Sequence, residues 1–225
     1  MRALALLTLA SVSVLAACGP KHHLADHTFA NRSITLVYDE PPAPQLLTGW
    51  HEVKEIDDPM KAILHASGGI FNEIEGRRAS ARLDSASMHV DIANRLAHHT
   101  LDRASRYLGA RAVSSSAEAD YLLEVHMRRF GLDVRGQSAA YLFTEAEAVL
   151  LDRRTGMEIW SSAVRGTSRL TPLVGVQTGA GVITAGTLST VSVQDFQVAL
   201  DQLVGFSSNL ITDQLRGALR EVRRK

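Results

Sequence analysis

The sequence predicts an α+β fold: a mixed, mostly antiparallel sheet with long helices packed on one face. Three observations carry this. Apolar residues recur at helical spacing over residues 84–108 and again over 192–219. Between those stretches the apolar period drops from 3.6 to 2, and the strands so marked have one apolar and one polar face. The element order is strand, broken helix, long helix, three strands, long helix, which one helical layer over one sheet satisfies.

Taken in order, the 225-residue chain begins with Arg2 and an apolar run from Leu4 to Leu15. That run is short for a membrane span of about 20 residues, and Gly19-Pro20 breaks any helix continuing from it. It ends in Leu15-Ala16-Ala17-Cys18, which holds the only cysteine of the chain. The tetrapeptide resembles the lipobox of bacterial lipoproteins. The resemblance implies a signal peptide over 1–17, lipid attachment at Cys18 and a membrane partner reached through that anchor. Gly19 follows the cysteine where an aspartate would favour inner-membrane retention. It implies the periplasmic face of the outer membrane, with the inner membrane as the alternative. An acylated Cys18 leaves no thiol for a disulfide, a thiolate metal site or a nucleophile.

The 24 bases and 24 acids become 23 and 24 once residues 1–17 are removed. A net charge near −1 gives no electrostatic case for nucleic acid or an acidic bilayer. Arg216, Arg220, Arg223, Arg224 and Lys225 form one basic cluster, which reads as favourable cations on the last turns of a helix rather than as a phosphate- or lipid-binding tail. Residues 18–32 read as the lipidated cysteine and a flexible tether, and 33–225 as a single domain. His22, His23 and His27 lie in that tether, where no fixed geometry supports a metal, so no metal or cofactor is expected.

Ser33 to Tyr38 is β-branched and aromatic enough for a first strand, stopped by Pro41, Pro42 and Pro44. Asp57-Asp58-Pro59 starts a helix with Met60, Ile63, Leu64, Ile70, Phe71 and Ile74 at helical spacing, interrupted at Gly68-Gly69 and ended by Gly76. The strongest helix runs from Asp84 to Leu108 and stops at Gly109. Ala119 to Leu132 then alternates Leu123, Val125 and Met127 against Glu124, His126 and Arg128. Ala139 to Leu151 is a second long strand, Asp152 to Gly156 a tight turn, and Met157 to Val164 the returning strand of a meander. Ser192 and Asp195 form a capping box that opens the last helix, through Leu219.

Ala148 to Ser161 reads V-x-x-D-x-x-T-G-x-x-I-W-S from Val149 onward, and Ala119 to Val125 reads A-D-Y-x-L-x-V. These phrases resemble bacterial envelope lipoproteins with a TolB amino-terminal-like domain. That group includes curli-secretion lipoproteins, penicillin-binding-protein activators and auxiliary lipoproteins of ABC-type transporters. The resemblance implies the fold more than any one function. The chain departs from the group at Pro41 to Gly76 and at Leu170 to Gln194.

No arrangement of catalytic residues outweighs its plain structural explanation. Gly179-Ala180-Gly181 lacks the third glycine of a dinucleotide fingerprint, which would fall on Thr184. His98, His99 and Asp102 read as a solvated helix face, and Glu145 and Glu147 as one side of a polar sheet face. Trp160 and Tyr141 are placed either as contact anchors on one sheet surface or as packing beneath the helices.

The expected function is therefore non-enzymatic, a lipid-anchored periplasmic docking or assembly component. Its partner would be an envelope protein or another copy of itself, with no nucleic acid involved. The alternatives are an auxiliary lipid-handling component of an ABC-type transporter and an oligomeric secretion-channel subunit. Leu170 to Gln194 holds 25 residues without a charge, rich in Gly, Thr and Val. Val174, Val176, Val182, Ile183 and Leu188 in it are candidate contact residues, with a buried structural edge as the competing reading.

Overall fold

The computed structural model describes residues 22–47, 74, 76–134, 140–170, 188 and 190–224. The signal peptide expected over 1–17, Cys18, the helix expected to start at Pro59, and Gly179 to Gly181 lie outside them. The sheet comprises β1 (Ser33–Tyr38), β2 (Gln45–Leu47), β3 (Arg111–Ala112), β4 (Tyr121–Asp133), β5 (Tyr141–Asp152) and β6 (Glu158–Arg169). The helices are α1 over 76–87, α2 (Ile92–Leu108) and α3 (Val193–Val222). The fold is α+β.

The strand order is β3-β1-β4-β5-β6, with β2 also on β4. The long ladders, β4 with β5 and β5 with β6, are antiparallel, and the short ones are parallel. β1 and β2 follow one another along the same edge of β4: Tyr38 faces Val125 and Gln45 faces Gly131. Residues 39–44 bridge them beside a bulge in β4 between Met127 and Arg129. Three prolines lie in that bridge and donate no ladder hydrogen bond, so the edge strand breaks where its partner is irregular.

Leu123, Val125 and Met127 are buried beneath the helices, while Glu124 and His126 are half-buried and Arg128 exposed on the other face. The bulge then shifts the alternation by one residue, so that Phe130 and Leu132 face inward. α2 lies over β1 and β4, and α3 over β5 and β6. α3 opens on the expected capping box: the Ser192 hydroxyl accepts from the Asp195 N–H, and the Asp195 carboxylate accepts from the Ser192 N–H. It comes close to β6 because Gly166 lacks a side chain, and a Cβ there would stand 2.5 Å from Ser207 Oγ.

Four expectations require correction. The helix expected over 84–108 is two helices, separated at 88–91. Asp91 caps α2 by accepting the Asn94 N–H at 3.0 Å. Val90 is buried from the turn itself, which is why apolar spacing continues across the break. Gly76 does not end a helix but lies at the start of α1, where an added Cβ would stand 3.3 Å from a Leu46 methyl group. β6 runs five residues beyond Val164, to Arg169, paired throughout with β5.

The fourth concerns the tether, which is folded from His22 onward. Leu24, in a single 3-10 turn (Leu24–Asp26), and Phe29 are buried in the core. The His23 N–H donates to the Ile159 carbonyl at 2.8 Å, and the Tyr121 hydroxyl donates to the Thr28 carbonyl at 3.1 Å. Two apolar anchors in a polar stretch, each on the order of 2 kcal/mol of burial, suffice to hold such a segment down.

Candidate functional site

Of the residues singled out for function, Leu15, Ala16, Ala17, Cys18, Val174, Val176, Val182 and Ile183 lie outside the described residues. Leu188 is fully buried, as are the flanking Leu170 and Val191, so it belongs to the core and not to a contact surface. Trp160 pairs with Leu150 on the helix side and is buried, whereas Tyr141 lies on the opposite face, its hydroxyl accepting from Arg169 at 3.2 Å. The two aromatics share no surface.

The open face of the sheet carries paired charges. Arg128 donates twice to Glu147, at 3.0 and 2.7 Å. Arg129 and Arg165 both approach Glu145, at 3.4 and 3.6 Å, and Arg165 also approaches Asp133 at 3.7 Å. Glu145 and Glu147 thus each hold a guanidinium, which suits a structural role over a shared-proton pair. The same two arginines lie over the Phe143 ring, at 6.0 and 5.7 Å from its centroid. Phe143 faces away from the helices yet is fully buried, opposite Gly131, where no side chain competes for the space.

His126 stands between Asp39, 2.6 Å from Nδ1, and Glu124, 3.5 Å from Nε2. Its two nitrogens meet carboxylates on opposite edges, which ties the β1–β2 bridge to β4. His98 and His99 are exposed on α2, and His98 packs edge-on to Tyr38. His22, His23 and His27 diverge, facing Glu221, Asp26 and Asp152 respectively. Among the described residues no group of three His, Cys, Asp or Glu side chains could hold a metal ion.

The richest set of interactions is at the end of the molecule where the chain enters. There the Ser33 N–H donates to Asp120 at 2.8 Å, the Ser33 hydroxyl lies 2.8 Å from the same carboxylate, and the Asp120 N–H donates back to Ser33 Oγ at 3.0 Å. The Ser33 N–H, then its hydroxyl, and the Arg32 charge hold the Asp120 carboxyl below its ordinary range against a smaller opposing effect of burial. In the β5–β6 turn the Thr155 N–H and hydroxyl donate to Asp152 at 2.9 and 3.0 Å. The Thr155 N–H leads in lowering the Asp152 carboxyl, helped by the Thr155 hydroxyl, the Arg154 N–H and His27, with burial opposing. Between them the Tyr121 hydroxyl is raised, chiefly by burial, with the Arg32 charge opposing and the Asp152 and Asp120 carboxylates adding to the rise.

Both carboxyls are depressed in the folded state, so their contribution to stability is complete above the unfolded value of about 3.9 and is lost as pH falls through the lower folded values. Urea unfolding at a series of acidic pH values should therefore show stability falling below about pH 4. The fall should be flatter in an Asp120→Asn, Asp152→Asn double variant. Identical slopes would show that these two locks do not contribute.

The fold defines a two-layer α+β domain with a polar sheet face and a charged, densely hydrogen-bonded entry end, a class that hosts many functions. No protein-family model and no curated protein matches the chain. Among solved structures it is similar to a protein from Caulobacter crescentus assigned as a lipoprotein, at 16% identity and a TM-score of 0.35, covering 55% of this chain and 82% of that one. It is also similar to lipoprotein GNA1162 from Neisseria meningitidis, at 12% identity and a TM-score of 0.31, covering 71% and 92%. The PelC dodecamer from Paraburkholderia phytofirmans is similar at 12% identity and a TM-score of 0.29, covering 77% and 89%. At these scores the likenesses assign neither family nor activity.

Proposed function

We propose that the protein is a bacterial envelope lipoprotein, anchored through acylated Cys18 at the periplasmic face of the outer membrane, whose domain acts by docking and not by catalysis. The observation that carries this reading is the direct passage from anchor motif to fold. Leu15-Ala16-Ala17-Cys18 lies four residues ahead of His22, where the chain is already packed on the domain. The carboxylates of the sheet face, each engaged by arginine or histidine, support a recognition surface over a reaction centre.

The lipid-handling alternative requires room for an acyl chain between helices and sheet. Among the described residues, the space bounded there by Ile92, Leu96, Phe130, Leu200 and Leu203 is about 10 Å³. That is the threshold for a single water, against the several hundred Å³ of a ligand pocket. Docking is the better supported reading.

Cys18→Ser is expected to abolish the acyl-modified N-terminus and leave either uncleaved precursor or a soluble form. A variant that still carried acyl groups and fractionated with membranes would refute the anchor. The contact residues in this reading are Val174, Val176, Val182 and Ile183. Replacing 174–187 with a short Gly-Ser connection spares the buried Leu188 and Val191. It should lower cross-linking to envelope partners with little change in thermal midpoint, whereas unfolding would place the stretch in the core.

A further inference from the structure

The net charge of the chain hides where its arginines stand. α2 and α3 run parallel: Arg95 pairs with Asp201 near their starts, and Arg216 lies 5.6 Å over the Tyr107 ring near their ends. Both helices therefore finish at the same end of the molecule. Arg106, Arg216, Arg220, Arg223 and Arg224 are exposed there. A helix C-terminus carries roughly half a negative charge, so Arg216, Arg220, Arg223 and Arg224 leave the last turns of α3 net positive. Glu221 is the only acid within residues 214–224, and His22 engages it at 3.9 Å. Arg220, Arg223 and Arg224 make no ion pair among the described residues.

The same His22 contact fixes where the anchor enters. His22 lies against the last turns of α3, and the His23 N–H donates to Ile159, the second residue of β6. Three residues, 19–21, separate Cys18 from His22, and the four Cα–Cα steps across them span at most about 14 Å. A tether free through Arg32 would let the domain turn any side to the bilayer. The short one presents the arginine end within one to two Debye lengths, about 8 Å each at physiological salt.

We propose that the end formed by the C-termini of α2 and α3 docks on the anionic phospholipid headgroups of the membrane that holds the anchor. The inference rests on the lipoprotein reading. Arginine is suited to it, since its planar guanidinium meets phosphate oxygens in pairs, and basic groups near an anionic surface each strengthen attraction severalfold. Anchor and arginines together form a two-signal attachment that also orients the domain.

The test uses the mature, acylated chain in vesicles containing phosphatidylglycerol and in vesicles of phosphatidylcholine alone, with amide exchange read over residues 216–224. Flotation with both vesicle types, and an acyl mass on Cys18, check the anchor separately; their failure refutes the lipoprotein reading itself. With the anchor intact, exchange at 216–224 should be slowed at least about threefold by phosphatidylglycerol. The slowing should vanish near 1 M salt, where the Debye length is about 3 Å. An Arg220→Gln, Arg223→Gln, Arg224→Gln variant should lose the slowing while keeping wild-type protection in β4, and the corresponding lysine variant should retain most of it. Equal exchange in the two vesicle types, or protection that survives in the glutamine variant, overturns the proposal. So does protection found only in native envelopes, which would assign this end to a protein partner.

Discussion

Leu123→Ala is expected to destabilise the domain by about 2–5 kcal/mol, while Glu124→Ala next to it stays within about 0.5 kcal/mol. Leu123 is 1% exposed in the central strand, flanked by Leu36 of β1 and Leu150 of β5. Truncation there removes apolar contact and leaves a cavity that neighbours on two strands and the helix above cannot all close. The Glu124 side chain is 31% exposed and pairs with His126 at 3.5 Å, an interaction of small net value at a wet surface. Chemical denaturation of the pair reads the register directly. Similar, small losses at both positions would contradict the inward placement of Leu123.

Gly131→Ala is expected to cost about 3 kcal/mol, at the upper end of the range for overpacking. A Cβ at that position would stand 1.8 Å from the Gln45 carbonyl oxygen, so the obstacle is backbone and no rotamer change relieves it. The strand β2 must move away from β4, or β4 must distort beneath Phe143. Alanine also restricts the unfolded chain, which would stabilise by up to about 1 kcal/mol if the native site could accept it; here that gain is outweighed. Amide exchange at Gln45 to Leu47 should rise with the loss of stability. Gly156→Ala makes the comparison, since that glycine has φ 69° and nothing within 4 Å of the added carbon. It should lose about 1–2 kcal/mol through left-handed backbone strain alone and leave β2 protected. Wild-type exchange at β2 in the Gly131 variant would contradict the close approach.

The sheet and its long final helix were legible because each carries its own period. Leu123, Val125 and Met127 alternate cleanly, and Ser192 with Asp195 marks a helix start that no tertiary contact overrides. What the sequence concealed depends on contacts distant in the chain. The break at 88–91 is masked because Val90 packs inward from a turn, preserving the helical spacing. The bulge at Arg128 reverses the alternation without leaving a turn residue. Phe143 is buried on the face that reads as wet because two arginines from β4 and β6 close over it. The folded tether is announced only by Leu24 and Phe29, two large apolar residues among three histidines and the single acid Asp26, and its place beside α3 depends on the contact of His22 with Glu221. The C-terminal arginines were visible as a cluster. Their common placement depends on contacts distant in the chain: α2 and α3 run parallel, and His22 packs beside the last turns of α3.

If Cys18 joins this domain to a membrane, the N-terminal peptide of the protein purified from cell envelopes should begin at Cys18. Its mass should exceed that of its amino-acid composition by a lipid modification bearing acyl chains. A chain that begins elsewhere, or one that begins at Cys18 with an unmodified thiol, would contradict it.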